Sequence, residues 1–293
     1  MKILITGSRG LLGYEVGIVC EGQGDTVFRT DIVPPSLQLD ITDASAIRGM
    51  LSTMKPDWVI NCAAYTDVDG CETNEELAYQ LNAKAPGNLA RACEEVGAKF
   101  LHISTDYVFD GSKEVPYTEN DETNPTSVYG KSKRAGEIAV LESIEHYSIV
   151  RTQWLFGPQG KNFVSTILKI AKDRDKITVV NDQWGSPTYS KDLAKALRLL
   201  IDSNAQGVYH VCNRGKATWY DLARKAVELV GLQTEVIPVP TSEYPRPAKR
   251  PLNSVLSTRR FTETTGKLMP AWQISLDKYI KEYLMEYRRS NPV

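Results

Sequence analysis

Short apolar runs alternate with helical patterns through the first two-thirds of the chain. Residues 3–6, 26–30, 58–62, 100–104 and 148–152 are brief, apolar and β-branched, and read as strands. Residues 11–22, 43–54, 74–96 and 127–142 carry helical periodicity between them. Alternation of this kind predicts right-handed crossovers and a parallel sheet. The strands have no polar face, so helices are expected on both sides. The predicted class is α/β, a Rossmann-type doubly wound parallel sheet. After Arg151 the rhythm loosens: a helix fits 163–172, a strand 177–180, a helix 190–201, a strand 208–211 and a helix 218–230. An apolar run over 235–239 then meets Pro238, Pro240, Pro245, Pro247 and Pro251, a density that opposes helix and central strand and reads as an ordered loop. The predicted division is a main domain of residues 1–153 to which 177–212 returns. A smaller, interleaved C-terminal α/β lobe takes 154–176 and 213–293.

Composition narrows the class. At 293 residues the chain suits one large domain or two interleaved lobes. Its 35 Lys and Arg balance 36 Asp and Glu, so no global basic excess exists to hold nucleic acid or an anionic membrane. No apolar run approaches the roughly 20 residues of a membrane span. The apolar part of the first residues is too short for a signal peptide. Five cysteines, with no Cys-x-x-Cys pair, read as reduced thiols of a cytoplasmic protein.

The strongest local feature is Gly7-Ser8-Arg9-Gly10-Leu11-Leu12-Gly13, which follows an apolar strand and opens a helix. That context marks a dinucleotide fingerprint. The first glycine permits a tight turn, the second a close approach to pyrophosphate, the third close packing of helix on strand. The helix N-terminus offers free N–H groups to the phosphates. The G-x-x-G-x-x-G spacing resembles the extended branch of the short-chain dehydrogenase/reductase superfamily, which implies a tyrosine–lysine pair further on. Asp31, closing the second strand, suits ribose hydroxyls and favours NAD. Arg9 suits a 2′-phosphate and favours NADP. The two signals conflict, and both NADH and NADPH stay open. Asp40 and Ile41 resemble that superfamily's adenine contact, and they read equally well as a strand end before a helix capped by Thr42.

Tyr129 and Lys133 lie four apart on the helix predicted over 127–142 and so share one face. Gly136 and Val140 continue that stripe, while Val128, Ala135, Ile138 and Ala139 form the expected core face. A free phenol titrates at about 10, and an ammonium one turn away stabilises its phenolate. Thr105 stands at the end of the fourth strand, where such sheets open onto their ligand crevice, and its hydroxyl can polarise a carbonyl. Thr105, Tyr129 and Lys133 are the candidate catalytic set.

Larger motifs extend the resemblance. Residues 104–111, the Tyr129–Lys133 run, Arg151-Thr152-Gln153-Trp154, residues 182–188, and Arg246-Pro247 through Leu256 together resemble the dTDP-4-dehydrorhamnose reductase family, in order and over nearly the whole chain. Asn61 to Asp69 fits with departures, Tyr65 standing where His is frequent, Asp67 where Ala is; Gln153 replaces a small residue. The resemblance implies a proton donor in Tyr129, with Lys133 tuning it and holding ribose. It implies Ala63, Ala64, Tyr65 and Thr66 along the nicotinamide, and Asn82 as a structural asparagine. It implies Thr105, Asp106, Tyr129, Trp154 and Arg250 on the nucleotide sugar. Residues 1–153 would then bind NAD(P), and the smaller lobe a dTDP-sugar. The implied activity is NAD(P)H-dependent reduction at the sugar C4, the last step of dTDP-rhamnose synthesis for cell-surface polysaccharide such as O-antigen. A homodimer is left open. Some members are linked with Mg2+ at an acidic subunit contact, but no carboxylate cluster in this sequence supports a metal. Two alternatives stand beside this reading. One is another ketosugar reductase or an epimerase, for which His102, His146 and His210 are poorly placed. The other is a non-catalytic NADP-binding subunit resembling methionine adenosyltransferase β.

Overall fold

In the computed structural model, which describes residues 1–290, the first apolar runs become β1 (Lys2–Thr6), β2 (Thr26–Asp31), β3 (Leu37–Gln38), β4 (Trp58–Asn61), β5 (Lys99–Thr105) and β6 (Tyr147–Thr152). Shorter strands follow: β7 (Leu155–Phe156), β8 (Lys176–Val180), β9 (Trp184–Gly185), β10 (Thr188–Tyr189), β11 (Gly207–His210), β12 (Ala217–Thr218) and β13 (Glu235–Val239). Seven strands form one sheet in the order β11-β6-β5-β4-β1-β2-β3, every pair parallel. Strand order reverses between β1 and β4, which opens a crevice at the strands' carboxyl ends.

Alternation along the strands sends side chains to two cores. Ile3 and Ile5 face α1 (Gly13–Gly22), in a core with Val16 and Cys20. Leu4, Val59 and Phe100 face the other way, onto Ile47 and Leu51 of α2 (Ala44–Met54). The helical stretch predicted over 74–96 is interrupted. It comprises α4 (Glu75–Tyr79), a π-helical turn over Gln80–Lys84 and the following helix α5 (Ala85–Val96), and a further short helix, α3 (Val68–Thr73), precedes it. Asp43, not Thr42, caps α2, accepting from the N–H groups of Ser45 and Ala46.

The helix α6 (Val128–Leu141) is capped by Ser127, and its buried face differs from the expected one. Gly130, Ser132, Lys133, Gly136, Glu137 and Val140 turn inward, while Ile138 is 41% exposed. The reason is a buried charge network. Glu137 takes two hydrogen bonds from Arg151 at 2.8 Å each, one from Arg134 at 3.0 Å and one from Ser104 at 2.6 Å. These partners draw the polar side of the helix into the sheet.

The second lobe packs α7 (Phe163–Lys172) against the parallel pair β8–β13. Here the structure departs from the predicted division. Residues 177–180 pair with β13 in this lobe, and return to the central sheet begins only with α8 (Ser190–Asp202) and β11. The apolar run of β8 gave no sign of which sheet it joins. The helix α9 (Trp219–Val230) completes this lobe. Phe261 of α10 (Arg259–Thr265) and Met269 then return to the core beneath β11. The helix α11 (Trp272–Ser290) closes over Phe156, Val164 and Leu168. No helix among the described residues is long and apolar enough to cross a membrane.

Candidate functional site

A crevice of about 1240 Å³ runs from the glycine loop, across the carboxyl ends of the strands, into the second lobe. Its first end is backbone. Gly7 has φ +64°, and a Cβ there would stand 2.7 Å from the amide nitrogen of Ala63. A Cβ on Gly13 would run into the Gly7 carbonyl. Only glycine fits either position, and the cradle so formed suits a pyrophosphate. Arg9, Gly10, Leu11 and Leu12 line the same end. Asp31 accepts the Arg9 amide at 3.0 Å, while the Arg9 side chain is exposed. Asp40 and buried Ile41 both line the crevice, and Asp40 also closes a local turn on Thr42, taking its N–H and hydroxyl at 2.8 Å each.

Ala63, Ala64 and Thr66 line the middle. Tyr65 does not: its phenol rests against Gly70. Asn82 in the π-helical turn fixes this segment, donating to the Tyr65 carbonyl at 3.0 Å, accepting the Tyr65 N–H at 2.8 Å, and donating to Ser132 of α6. Asn82 thus holds the backbone of the Ala63–Thr66 segment in place from α6 and the π-helical turn.

Tyr129, Lys133, Thr105 and Asp106 meet at the inner end. Lys133 is buried and donates from Nζ to the Ile103 carbonyl at 2.6 Å. Burial brings its pKa down to about 8, with the Glu137 charge working against that. Burial likewise pushes the Tyr129 phenol above its ordinary value, and the nearby Thr105 hydroxyl only partly offsets it. Desolvation is the largest influence on this phenol. Tyr107 stands edge-on to Tyr129, ring centres 5.4 Å apart. Asp106 is buried and pushed up to about 6 by that burial, against hydroxyl groups of Ser254 and Thr105. Its Oδ1 accepts from Thr105, and its Oδ2 lacks a hydrogen-bond partner.

Trp154 walls the crevice from a left-handed backbone conformation, φ +49°. It stacks on Trp219 at 3.6 Å between ring centres, nearly parallel. Tyr107 and Gln153 also line the crevice; nothing in the sequence linked Trp219 to Trp154, because that contact joins distant segments. Arg250 reaches the crevice but is already paired with Asp69 of α3. Among the described residues, no group of three or more His, Cys, Asp or Glu is arranged to hold a metal.

The sheet order, the glycine cradle and the crevice at the strands' carboxyl ends define a Rossmann-type dinucleotide-binding protein. A family model described as the RmlD substrate binding domain matches residues 1–285. The dTDP-4-dehydrorhamnose reductase of Mycobacterium tuberculosis is 43% identical over 282 residues, 94% of this chain and 91% of that protein. The chain belongs to this dTDP-4-dehydrorhamnose reductase family. Two solved structures are similar throughout. The Clostridium acetobutylicum reductase superposes with a TM-score of 0.93 at 45% identity, covering 97% of this chain and all of that one. The Bacillus anthracis reductase, in complex with NADP, gives 0.92 at 38%, covering 96% and 99%.

Proposed function

We propose that this protein reduces the C4 ketone of dTDP-4-dehydro-L-rhamnose to dTDP-L-rhamnose, using NADPH or NADH, in the cytoplasm. The observation that carries this reading is the single crevice that joins the glycine cradle to Thr105, Tyr129 and Lys133 and continues to Trp154. Gly7, Gly10 and Gly13 let the backbone close on the pyrophosphate, and Asp31 and Arg9 stand where the adenosine ribose would lie. Asp40 and Ile41, which line the same end of the crevice, would hold the adenine. When bound, the cofactor supplies the hydride.

The chain's own residues supply position and a proton. Tyr129 donates its phenolic proton to the sugar oxygen at C4. A pKa raised by burial keeps that proton on the phenol at neutral pH, so the donor starts loaded. Lys133 spends one hydrogen on Ile103 and has others for ribose hydroxyls. Thr105 and Asp106 bind sugar oxygens, and Trp154 forms the pocket wall. Arg250 takes the diphosphate by exchanging it for the Asp69 carboxylate, since both present paired oxygens to the same fork. The similarity to the Mycobacterium tuberculosis and Clostridium acetobutylicum reductases supports the substrate, and the NADP in the Bacillus anthracis structure supports the cofactor class.

The test is oxidation of NADPH and of NADH by the purified chain, with dTDP-4-dehydrorhamnose against GDP-linked ketosugars. Turnover of the dTDP-sugar is expected. Turnover of the GDP-sugar alone would assign another substrate. Tight NADP binding with no turnover, and capture of a synthetase, would make the protein a regulatory subunit.

A further inference from the structure

Asp69 carries a second cation besides Arg250. Arg246 directs Nη1 to Oδ2 at 3.7 Å, the oxygen to which Arg250 Nη2 already donates at 3.0 Å. Oδ1 takes Arg250 Nη1 at 2.9 Å and the Ala248 N–H at 3.2 Å. One carboxylate thus faces two guanidinium groups and a backbone donor, and its charge balances one arginine, not both. The Arg250 side chain is 18% exposed and makes the close contacts; that of Arg246 is 49% exposed and stands off. Arg246 is therefore the under-neutralised cation of the two.

The loop itself holds Arg246 at the crevice. Arg246 stands between Pro245 and Pro247, and the two rings restrict the backbone on either side of it. Its guanidinium lies over the Tyr244 ring, 4.7 Å from the ring centre, and Nη2 donates to the Tyr244 hydroxyl at 3.2 Å. A cation over an aromatic face at this range is held there electrostatically. Tyr244, Arg246 and Arg250 all line the crevice. A guanidinium has five N–H donors in a fork. The Asp69 contact at 3.7 Å is an ion pair too long for a hydrogen bond, so most of the Arg246 fork is left for an anion.

We propose that Arg246 is a second diphosphate-binding arginine beside Arg250, and that the pair makes this crevice select nucleoside diphosphates over monophosphates. The inference deepens the reductase reading above and rests on its placing of the dTDP-sugar. Charge balance is the reason. Asp69 offers one negative charge to two arginines, whereas a diphosphate offers one on each phosphate. Exchanging the carboxylate for the diphosphate gives each fork its own pair of oxygens. Asp69, 25% exposed, keeps the Ala248 N–H and turns its freed oxygen to water. A monophosphate is met by Arg250 alone, the more sheltered of the two. Arg246 adds affinity only when a second phosphate is present.

The experiment is calorimetric titration of the full chain, saturated with NADP, with dTDP and with dTMP. The unmodified protein binds dTDP more tightly than dTMP. Arg246→Gln weakens dTDP about fivefold, the upper worth of a half-exposed ion pair, and weakens dTMP by less than about twofold. Equal weakening of both nucleotides would confine Arg246 to supporting its loop, and unchanged dTDP affinity would leave it in solvent; either result overturns the proposal. UDP with UMP and GDP with GMP are titrated alongside, so the contrast is read on whichever base binds. No preference for a diphosphate on any base also overturns it. A diphosphate preference that depends on Arg246, with no turnover of any ketosugar, would defeat the reductase reading alone.

Discussion

Arg250 lays its guanidinium fork on the carboxylate of Asp69, Nη1 on Oδ1 at 2.9 Å and Nη2 on Oδ2 at 3.0 Å. The Ala248 N–H donates to the same carboxylate at 3.2 Å. The loop that carries Arg250 is thereby pinned to the first turn of α3. Arg250→Lys keeps the charge and loses the fork. It should raise KM for the dTDP-sugar about tenfold, equivalent to about 1.4 kcal/mol, with kcat nearly unchanged. Steady-state kinetics check this, and an unchanged KM confines Arg250 to holding the loop.

Tyr129→Phe removes one oxygen and leaves the ring packed edge-on against Tyr107. Dinucleotide binding should stay near normal while kcat drops by at least about a hundredfold, the usual worth of a positioned acid. Titration of NADPH alongside turnover separates the two. Normal turnover removes Tyr129 from the role of proton donor.

At Gly7 a side chain is opposed twice over, by a left-handed φ of +64° and by the Ala63 backbone. Gly7→Ala should cost more than about 2 kcal/mol of stability and weaken dinucleotide binding. Thermal unfolding with and without NADPH measures both.

The Glu137–Arg151 pair is buried on both sides. Burial alone would raise the Glu137 pKa, but the Arg151 hydrogen bonds and charge, with Ser104 and Arg134, hold it below the ordinary 4.5. A depressed carboxyl contributes stability above its unfolded pKa and loses it as pH falls through the folded value. The contribution is therefore present at neutral pH and is lost on acidification below about 4.5. Glu137→Gln leaves Arg151 buried without its counter-charge and should cost about 3 to 5 kcal/mol at pH 7. Its deficit should shrink in acid, when the unmodified protein has itself lost the pair. Denaturant unfolding at the two pH values would show this, and an equal deficit in acid would remove the charge from the account.

Lys133 gives the alkaline counterpart. Its pKa, brought down to about 8 by burial, means that the ammonium loses its proton as pH rises past that value. Dinucleotide affinity should fall between about pH 7 and 9 if Lys133 holds the ribose. Fluorescence titration of NADPH tests it; constant affinity across that range would place Lys133 off the ribose.

What could be read from the chain alone was whatever depends on neighbours in sequence. The β1–glycine loop–α1 unit was legible because strand, loop and helix are contiguous and each glycine has a local steric reason. Tyr129 and Lys133 were legible through helical spacing. Contacts between distant segments were not. Two-residue strands such as β7 and β10 are too short to carry a pattern. The strand β8 pairs with β13 more than fifty residues later, so its apolar run fitted either sheet. The buried face of α6 was misassigned because ordinary hydrophobic patterning ranks Ile138 inside and Glu137 outside, whereas Arg151 on β6 reverses them. Arg250 showed its chemistry in the sequence but not its partner, since Asp69 lies far back along the chain. Asp43 outcompetes Thr42 as a cap by one position, a distinction that only the backbone geometry makes.

The late return of the chain to the central sheet limits how this molecule can be divided. Leu193, Leu197 and Leu200 of α8 and Phe261 of α10 fill the same core as Ile3 and Ile5 of β1. A gene fragment ending at residue 153 would leave that face of the sheet bare to water, and the remainder would carry helices with nothing to rest on. The two lobes are stitched rather than hinged by a single thread, so the protein should melt in one transition and resist being expressed as halves.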